Sequence, residues 1–166
     1  MASPVFIEDA VLFSLNLPDS VNRLLQAAVI AARRDKKQAE QLFIQAYQTD
    51  PHCLQSYFAL YKFYFYQARL AEAEYYVLAG LEEAARQGGI AVDYQLLYQN
   101  HASLDMYVNE SRLFYLYTLK ALAFIKLRQN HISKARSILN VIQALDSEDR
   151  SGASVIMDLA SAVEEE

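Results

Sequence analysis

The side chains of this sequence that could do chemistry are few and scattered. Its three histidines, His52, His101 and His131, are far apart, and no two have the four-residue spacing that places a metal-binding pair on one helix face. No glycine-rich phosphate loop is present, and Gly88-Gly89 is more simply explained as a helix terminator. The serines lack the context of a nucleophile elbow. We therefore expect no catalytic residue, no metal site and no cofactor site, and predict that the chain is not an enzyme.

The charged residues point to a protein partner and away from nucleic acid. The net charge is −5, whereas binding to phosphates needs a basic surface. The basic run from Arg33 to Lys37 is interpreted as a turn between helices, and Glu164 to Glu166 as a solvated tail. Nucleic acid is therefore not an expected partner.

Cysteine usage and hydropathy bear on the compartment. The single cysteine, Cys53, excludes an internal disulfide and a cysteine-based zinc site, and a small buried side chain is its simplest role. Charges interrupt every apolar stretch well before the about 20 residues that a membrane span needs. Residues 1–17 have no basic leader and are interpreted as a folded N-terminal helix. These features predict a cytoplasmic protein with no membrane span, in a cytoplasm of the bacterial or archaeal type.

The elements that must position all these side chains are helices. Glycine (4) and proline (3) are scarce, so few residues can interrupt a helix. Short connections between helices favour antiparallel neighbours. Caps and breakers predict helices at 4–14, 20–34, 36–49, 52–67, 71–87, 93–103, 110–128, 131–145 and 148–163. The predicted fold class is all-α.

Small residues recur in the second helix of successive helix pairs. Ala39 and Ala46 return after about 34 residues as Ala73 and Gly80, and Ala135 begins a third instance. A small residue allows two helices to cross closely, and a large one beside it fills the neighbouring gap. The large residues are Phe43, Val77 and Leu139. The pattern predicts stacked helical hairpins; a helical bundle without repeat symmetry is the alternative.

This pattern resembles the tetratricopeptide repeat (TPR) family. The matching positions are Ala27, Ala39, Phe43, Ala46 and Pro51 in the first unit, Tyr57, Leu60, Tyr64, Ala73, Gly80 and Leu81 in the second, and Leu122, Ala123, Ala135 and Leu139 in the third. Tyr61 departs from the pattern at a normally small position, and Arg23 and Gln26 replace large apolar residues. The resemblance implies a right-handed superhelix of about three repeats in one domain. Its predicted parts are an N-terminal helix at 1–18, repeats at 20–53, 54–87 and 116–147, an insertion at 88–115, and a capping helix with an acidic tail at 148–166.

A second resemblance concerns the C-terminal part of the chain. Residues 119–152 are similar to the last repeat and cap of small bacterial TPR proteins, namely type III secretion chaperones and TPR proteins that accompany nitrogen-fixation genes. The secretion-chaperone resemblance implies a dimer that cradles a hydrophobic segment. Leu24 and Ala28 stand where the family's carboxylate clamp has a Lys and an Asn, so binding to chaperone tails is not expected.

The resemblance also implies a binding groove, because TPR arrays bind an extended or helical peptide along their concave face. Aromatic side chains would anchor the peptide, and cations would fix its register and attract its carboxylates. The alternative is that the insertion or the N-terminal helix covers these aromatic side chains, which then belong to the core. The predicted groove residues are Phe58, Lys62, Phe65, Tyr66, Tyr117, Lys120, Phe124 and Arg128.

The sequence therefore predicts a scaffold, adaptor or chaperone that binds a protein or peptide carrying acidic residues. The alternative, from a different class, is a structural subunit that uses its aromatic surface for self-association as a homodimer or larger assembly.

Overall fold

The computed structural model describes residues 17–165, and in this range the chain forms eight α-helices, one 3-10 turn at His101–Ser103 and no strand. The all-α prediction is confirmed. The predicted helix over residues 4–14 lies outside the described residues. The helices are α1 Asp19–Ala31, α2 Lys36–Thr49, α3 Leu54–Tyr66, α4 Leu70–Gly88, α5 Tyr94–Gln99, α6 Glu110–Arg128, α7 Ile132–Leu145 and α8 Ala153–Glu165.

Side-chain caps explain several helix starts. The Asp35 carboxylate accepts hydrogen bonds of 3.1 Å from the first backbone N–H groups of α2, and Asn109, as predicted, accepts one of 2.9 Å from the backbone N–H of Arg112 in α6. Gly89 adopts a φ of 65°, which glycine reaches without strain, and ends α4. The helix predicted at 20–34 begins one residue earlier, at Asp19, directly after Pro18.

The helices belong to two compact units that divide within α4, between Tyr76 and Val77. Unit 1 contains α1, α2, α3 and the first residues of α4. Unit 2 contains the remainder of α4 and the helices from α5 to α8. The predicted single domain over 1–166 and the predicted superhelix stay predictions.

In unit 1, α1 and α3 both pack against α2. Fully buried Val21 and Ala28 of α1 lie at the helical spacing that makes one apolar face. Phe43 of α2 and Phe63 of α3 are in contact, with ring centroids 5.0 Å apart. Burial of this apolar surface is the main favourable term in the folding of the unit.

A series of tyrosine rings runs through unit 1. Tyr57 contacts Tyr47, with centroids 5.2 Å apart, and Tyr47 contacts Tyr76 at 5.8 Å. Tyr76 stacks on Tyr64 at 5.8 Å with an interplanar angle of 12°. Offset and edge contacts between aromatic rings stabilise the folded protein by more than the burial of their apolar surface alone would. We call these four rings the tyrosine series.

An ion pair at the end of this series connects α2 to the start of α4. The Tyr64 hydroxyl donates a 2.7 Å hydrogen bond to Glu40, and Arg69 donates one of 3.0 Å to the same carboxylate. The Arg69 guanidinium also lies 4.7 Å from the centroid of the Tyr64 ring. The hydrogen bond from Tyr64 lowers the pKa of Glu40, and Arg69 adds to this effect against the opposing effect of burial. These contacts therefore favour the ionised form of Glu40 in the folded unit.

Unit 2 is built around α6, which packs against α7 and α8. Every residue from Phe114 to Ala123 is buried, so the helix is enclosed on all sides over this stretch. A helix that is apolar all round is expected in the interior of a domain. α7 contributes a buried face at helical spacing, which consists of Ala135, Ile138, Leu139, Ile142 and Leu145.

The connection between α7 and α8, residues 146–152, is held by a buried carboxylate. Asp146 accepts hydrogen bonds from the backbone N–H of Arg150 (2.9 Å), from the Ser151 hydroxyl (2.6 Å) and from the Tyr107 hydroxyl. Burial alone would raise the pKa of Asp146, but the bonds from Ser151 and Tyr107 outweigh it and lower the pKa below its ordinary value. This polar connection displaces the start of α8 from the predicted residue 148 to Ala153.

The same turn joins α3 to α4 and α6 to α7. Its central residue, Ala68 or Asn130, has a positive φ of 58° or 65°. The next backbone N–H reaches back five residues, from Arg69 to Tyr64 at 3.0 Å and from His131 to Lys126 at 2.8 Å. This is the hydrogen bond of a Schellman ending.

Three alanines hold the same place in their second helices. Ala39, Ala73 and Ala135 each donate the backbone N–H, at 3.0 Å, to the carbonyl of the residue that precedes the helix. All three are fully buried. Each of these second helices thus has a fully buried alanine in its first turn. α1 departs from the pattern, because Ala27, predicted to pack, is exposed.

Candidate binding groove

Unit 1 contains a groove of about 380 Å³ that is lined by α1, α3 and two side chains of α2. Its floor is apolar and consists of Leu25, Phe43, Phe58 and Phe63. Phe58 is only 1% exposed, and its ring contacts that of Tyr61 with centroids 5.4 Å apart. These rings are therefore part of the core of the unit, and the floor of the groove is the surface of that core.

Two lysines lie at the edge of the groove. Lys62, on α3, holds its Nζ atom 5.8 Å from the centroid of the Phe58 ring, and Lys36, at the start of α2, is exposed. None of the described residues that line the groove is acidic. The charged side chains among the described lining residues are thus both basic, in a chain whose net charge is −5, and a carboxylate is the group that they would attract.

Two glutamines mark opposite ends of α3 along the groove. The Gln67 side-chain amide donates a 3.1 Å hydrogen bond to the backbone carbonyl of Phe63. The side-chain oxygen of Gln55 is buried and has no hydrogen-bond partner among the described residues. A buried acceptor without a partner costs free energy.

The lip formed by α1 is apolar and accessible. Val29 lines the groove and is 53% exposed, and Ala32 follows it one turn later. The adjacent Ile30 is 65% exposed and is not among the lining residues. This pair distinguishes the groove from the outer surface of the same helix.

The structure brings three of the four predicted residues of unit 1 to this groove: Phe58, Lys62 and Tyr66. Phe65 is not among the lining residues. It is buried, with its ring 5.8 Å from that of Tyr66.

The predicted groove residues of unit 2 are arranged differently. The Tyr117 hydroxyl donates a 2.7 Å hydrogen bond to the carbonyl of Arg150, and Lys120, only 2% exposed, donates one of 2.5 Å to the carbonyl of Ser151. The connection before α8 thus covers both side chains, so we correct the expectation that they are open to a partner. Phe124 is half-buried and Arg128 is exposed.

Two lining residues of α1, Leu25 and Val29, were not among the residues expected on its inner face. Those were Val21, Leu24, Ala28, Ala31 and Ala32, of which Val21 and Ala28 are fully buried and Ala32 lines the groove. The residues that line the groove, Leu25, Val29 and Ala32, follow the helical spacing of four and then three residues. That stripe was a signal present in the sequence, and the assumption that α1 repeats the register of α3 obscured it.

Unit 2 has a smaller cleft of about 180 Å³ between α7 and α8, which Arg136, Met157 and Ser161 line in part.

No group of three or more His, Cys, Asp or Glu residues in the described chain could hold a metal ion. None of the described helices combines the length and apolarity needed to cross a membrane.

Comparison with family models, with curated proteins and with solved structures gave no match to this chain.

Proposed function

We propose that this chain is a non-enzymatic scaffold, adaptor or chaperone whose groove in unit 1 binds an amphipathic segment of another protein. The observation that carries the proposal is an apolar floor with two lysines at its edge and no acidic side chain among the described lining residues. Such a surface favours a guest that is apolar on one side and carries carboxylates beside that side.

The dimensions of the groove favour a segment of polypeptide. Its lining residues on α3 extend from Gln55 to Gln67, which at the helical rise corresponds to about 18 Å. A bound helix of about three turns would match this length. The recognition mode would be a helix laid in a groove, with anchors at helical spacing.

We also propose that the chain is a member of the TPR family. The support is the shared position of Ala39, Ala73 and Ala135 at the start of three second helices. The shared turn at Ala68 and Asn130 adds to it. Against it stands α1, which exposes Ala27 and lines the groove with a different face.

The test is affinity capture with the full chain from a native cell lysate, followed by mass spectrometry. Val29→Glu adds a negative charge inside the groove, and Ile30→Glu adds the same charge just outside it on an equally accessible position. Proteins captured by the wild type and by Ile30→Glu, but lost with Val29→Glu, would support the proposal. For a partner identified in this way, we expect Val29→Glu to raise the Kd by at least about tenfold, since anchor contacts are worth about 2 kcal/mol. Identical captured sets for both variants would contradict it.

A second function, self-association as a structural subunit, is favoured by α8. This helix buries Ile156 and Ala160, but Val155 and Leu159 are exposed one turn apart on another face. Light scattering on the purified chain tests this alternative. A stable dimer that Leu159→Glu converts to a monomer would favour it, and a monomer at all concentrations would exclude it.

A further inference from the structure

We infer that, in the absence of a partner, the groove of unit 1 is occupied by the N-terminal segment of the same chain, residues 1–16, and that a partner must displace this segment. The inference rests on the groove of the proposed function and concerns how that groove is regulated. Residues 1–16 lie outside the described part of the chain, so their contribution to the inference is their sequence alone.

The N-terminal segment has the chemistry that the groove would select. Phe6, Ala10, Phe13 and Leu17 are spaced by four, three and four residues, which in a helix forms a single apolar face. Leu17, the first described residue, is half-buried. The segment is therefore of the amphipathic type that fits an apolar floor.

The charges of the two surfaces are opposite. Glu8 and Asp9 are the only charged side chains in residues 1–16, whereas the groove has Lys36 and Lys62 at its edge and no acidic residue among the described residues that line it. Opposite charges at an interface fix register and exclude the reversed arrangement. In a helix with that apolar face, Asp9 would flank the face, whereas Glu8, two residues after Phe6, would lie on the opposite side. Asp9 is therefore the carboxylate that would lie beside the apolar face, as required of a partner.

The connection is short enough to place the segment there. α1 begins at Asp19, so only Leu17 and Pro18 separate the segment from this helix. Leu25 and Val29 of α1 line the groove and lie within about three turns of its first residue. The segment is therefore tethered close to the groove.

A segment tethered in this way competes strongly with a partner. A short tether gives an effective concentration of about millimolar, so even a weak intramolecular contact occupies the groove most of the time. The apparent association constant for a partner equals the intrinsic constant multiplied by the fraction of chains whose groove is open. Only a partner that binds tightly enough, or is concentrated enough, would displace the segment from the groove.

The experiment adds a fluorescent peptide with the sequence of residues 1–16 to the full chain and measures binding by anisotropy. In the wild type the tethered segment should block the peptide. In the double variant Phe6→Asp/Phe13→Asp the groove should be open, and we expect the peptide to bind at least about tenfold more tightly. Adding Val29→Glu to the double variant should abolish this binding, and adding Ile30→Glu should leave it unchanged. Equal binding by the wild type and the double variant, or binding insensitive to Val29→Glu, would overturn the inference.

A charge exchange supplies an independent measurement. A peptide carrying Glu8→Lys and Asp9→Lys should bind the double variant more weakly than the natural peptide, and adding Lys62→Glu to the chain should reverse that order. If the natural peptide still bound more tightly to the chain carrying Lys62→Glu, the lysines would not recognise the acidic side chains of the segment. The two experiments can fail separately. If the peptide does not bind the double variant but Val29→Glu still removes captured proteins, the inference about the N-terminal segment is wrong and the proposed function stands. If the peptide binds but Val29→Glu removes no captured protein, the proposed function alone is wrong.

Discussion

The Nζ atom of Lys120 donates a hydrogen bond of 2.5 Å to the main-chain carbonyl of Ser151, thirty-one residues further along the chain. The ammonium also lies 5.1 Å from the centroid of the Tyr117 ring. Burying a cation is costly unless hydrogen bonds compensate, and the Ser151 carbonyl supplies that compensation. This contact fixes the connection from which α8 begins.

Replacing Lys120 should therefore loosen α8. We expect Lys120→Met to cost about 1–3 kcal/mol of unfolding free energy, because the buried Ser151 carbonyl loses a charge-assisted hydrogen bond. Urea unfolding measures the cost, and hydrogen exchange should show faster exchange of the amides in α8. Lys134→Met, at an exposed position on α7, is the control and should change neither. An equal effect of both variants would show that the buried contact contributes nothing specific.

The carboxylate of Asp146 should make unit 2 sensitive to acid. Because its folded pKa lies below the unfolded value, the stabilisation is fully present above the unfolded pKa of about 3.9 and is lost as the pH falls through the folded pKa. We expect Asp146→Asn to cost about 1–3 kcal/mol at pH 7. The difference in urea midpoint between the two proteins should shrink between pH 4 and the folded pKa. A difference that stays constant throughout that range would refute the argument.

The small residues of the second helices should not tolerate enlargement. Ala39→Leu or Ala73→Leu adds volume at a fully buried position, and overpacking of this kind costs about 1–3 kcal/mol. Thermal melting followed by circular dichroism measures the loss. Ala27→Leu, on exposed α1 surface, makes the same chemical change and should leave the Tm nearly unaltered. If all three variants melted with the wild type, the alanines would not be close-packing positions.

The two equivalent turns should respond differently to glycine. Ala68 has a left-handed backbone conformation, which is unfavourable for alanine and not for glycine. We therefore expect Ala68→Gly to stabilise unit 1 by about 1 kcal/mol. Asparagine tolerates the same conformation better, so Asn130→Gly should give a smaller gain in unit 2. Urea unfolding of both variants makes the comparison. If Ala68→Gly lowered the free energy of unfolding, the contacts of the Ala68 methyl group would stabilise the protein by more than its left-handed backbone conformation destabilises it.

Much of the secondary structure could be predicted from the sequence. Local signals mark it: Asn109 starts α6, and Gly89 supplies the positive φ that ends α4. The start of α8 could not be predicted in the same way. It depends on Asp146 bonding to Tyr107, thirty-nine residues away in the sequence, and no local pattern reveals such a contact.

The candidate site could be predicted only in part. The spacing along α3 was sufficient for Phe58, Lys62 and Tyr66, because one helix fixes which of its residues share a face. Lys120 shows why spacing was not enough in unit 2. An exposed position is the usual expectation for lysine, but a carbonyl from a distant connection makes a buried one stable. Which helix covers which face is decided by tertiary packing.

The tyrosine series gives unit 1 an optical signal. The chain has no tryptophan, so its near-ultraviolet circular dichroism arises mainly from tyrosine. Rings held within 5.8 Å and stacked at 12°, as Tyr64 and Tyr76 are, couple their transitions and lose that coupling when the helices that carry them separate. Separation of these helices should therefore change the near-ultraviolet spectrum of the native chain without any label, on top of the signal from the tyrosines of unit 2.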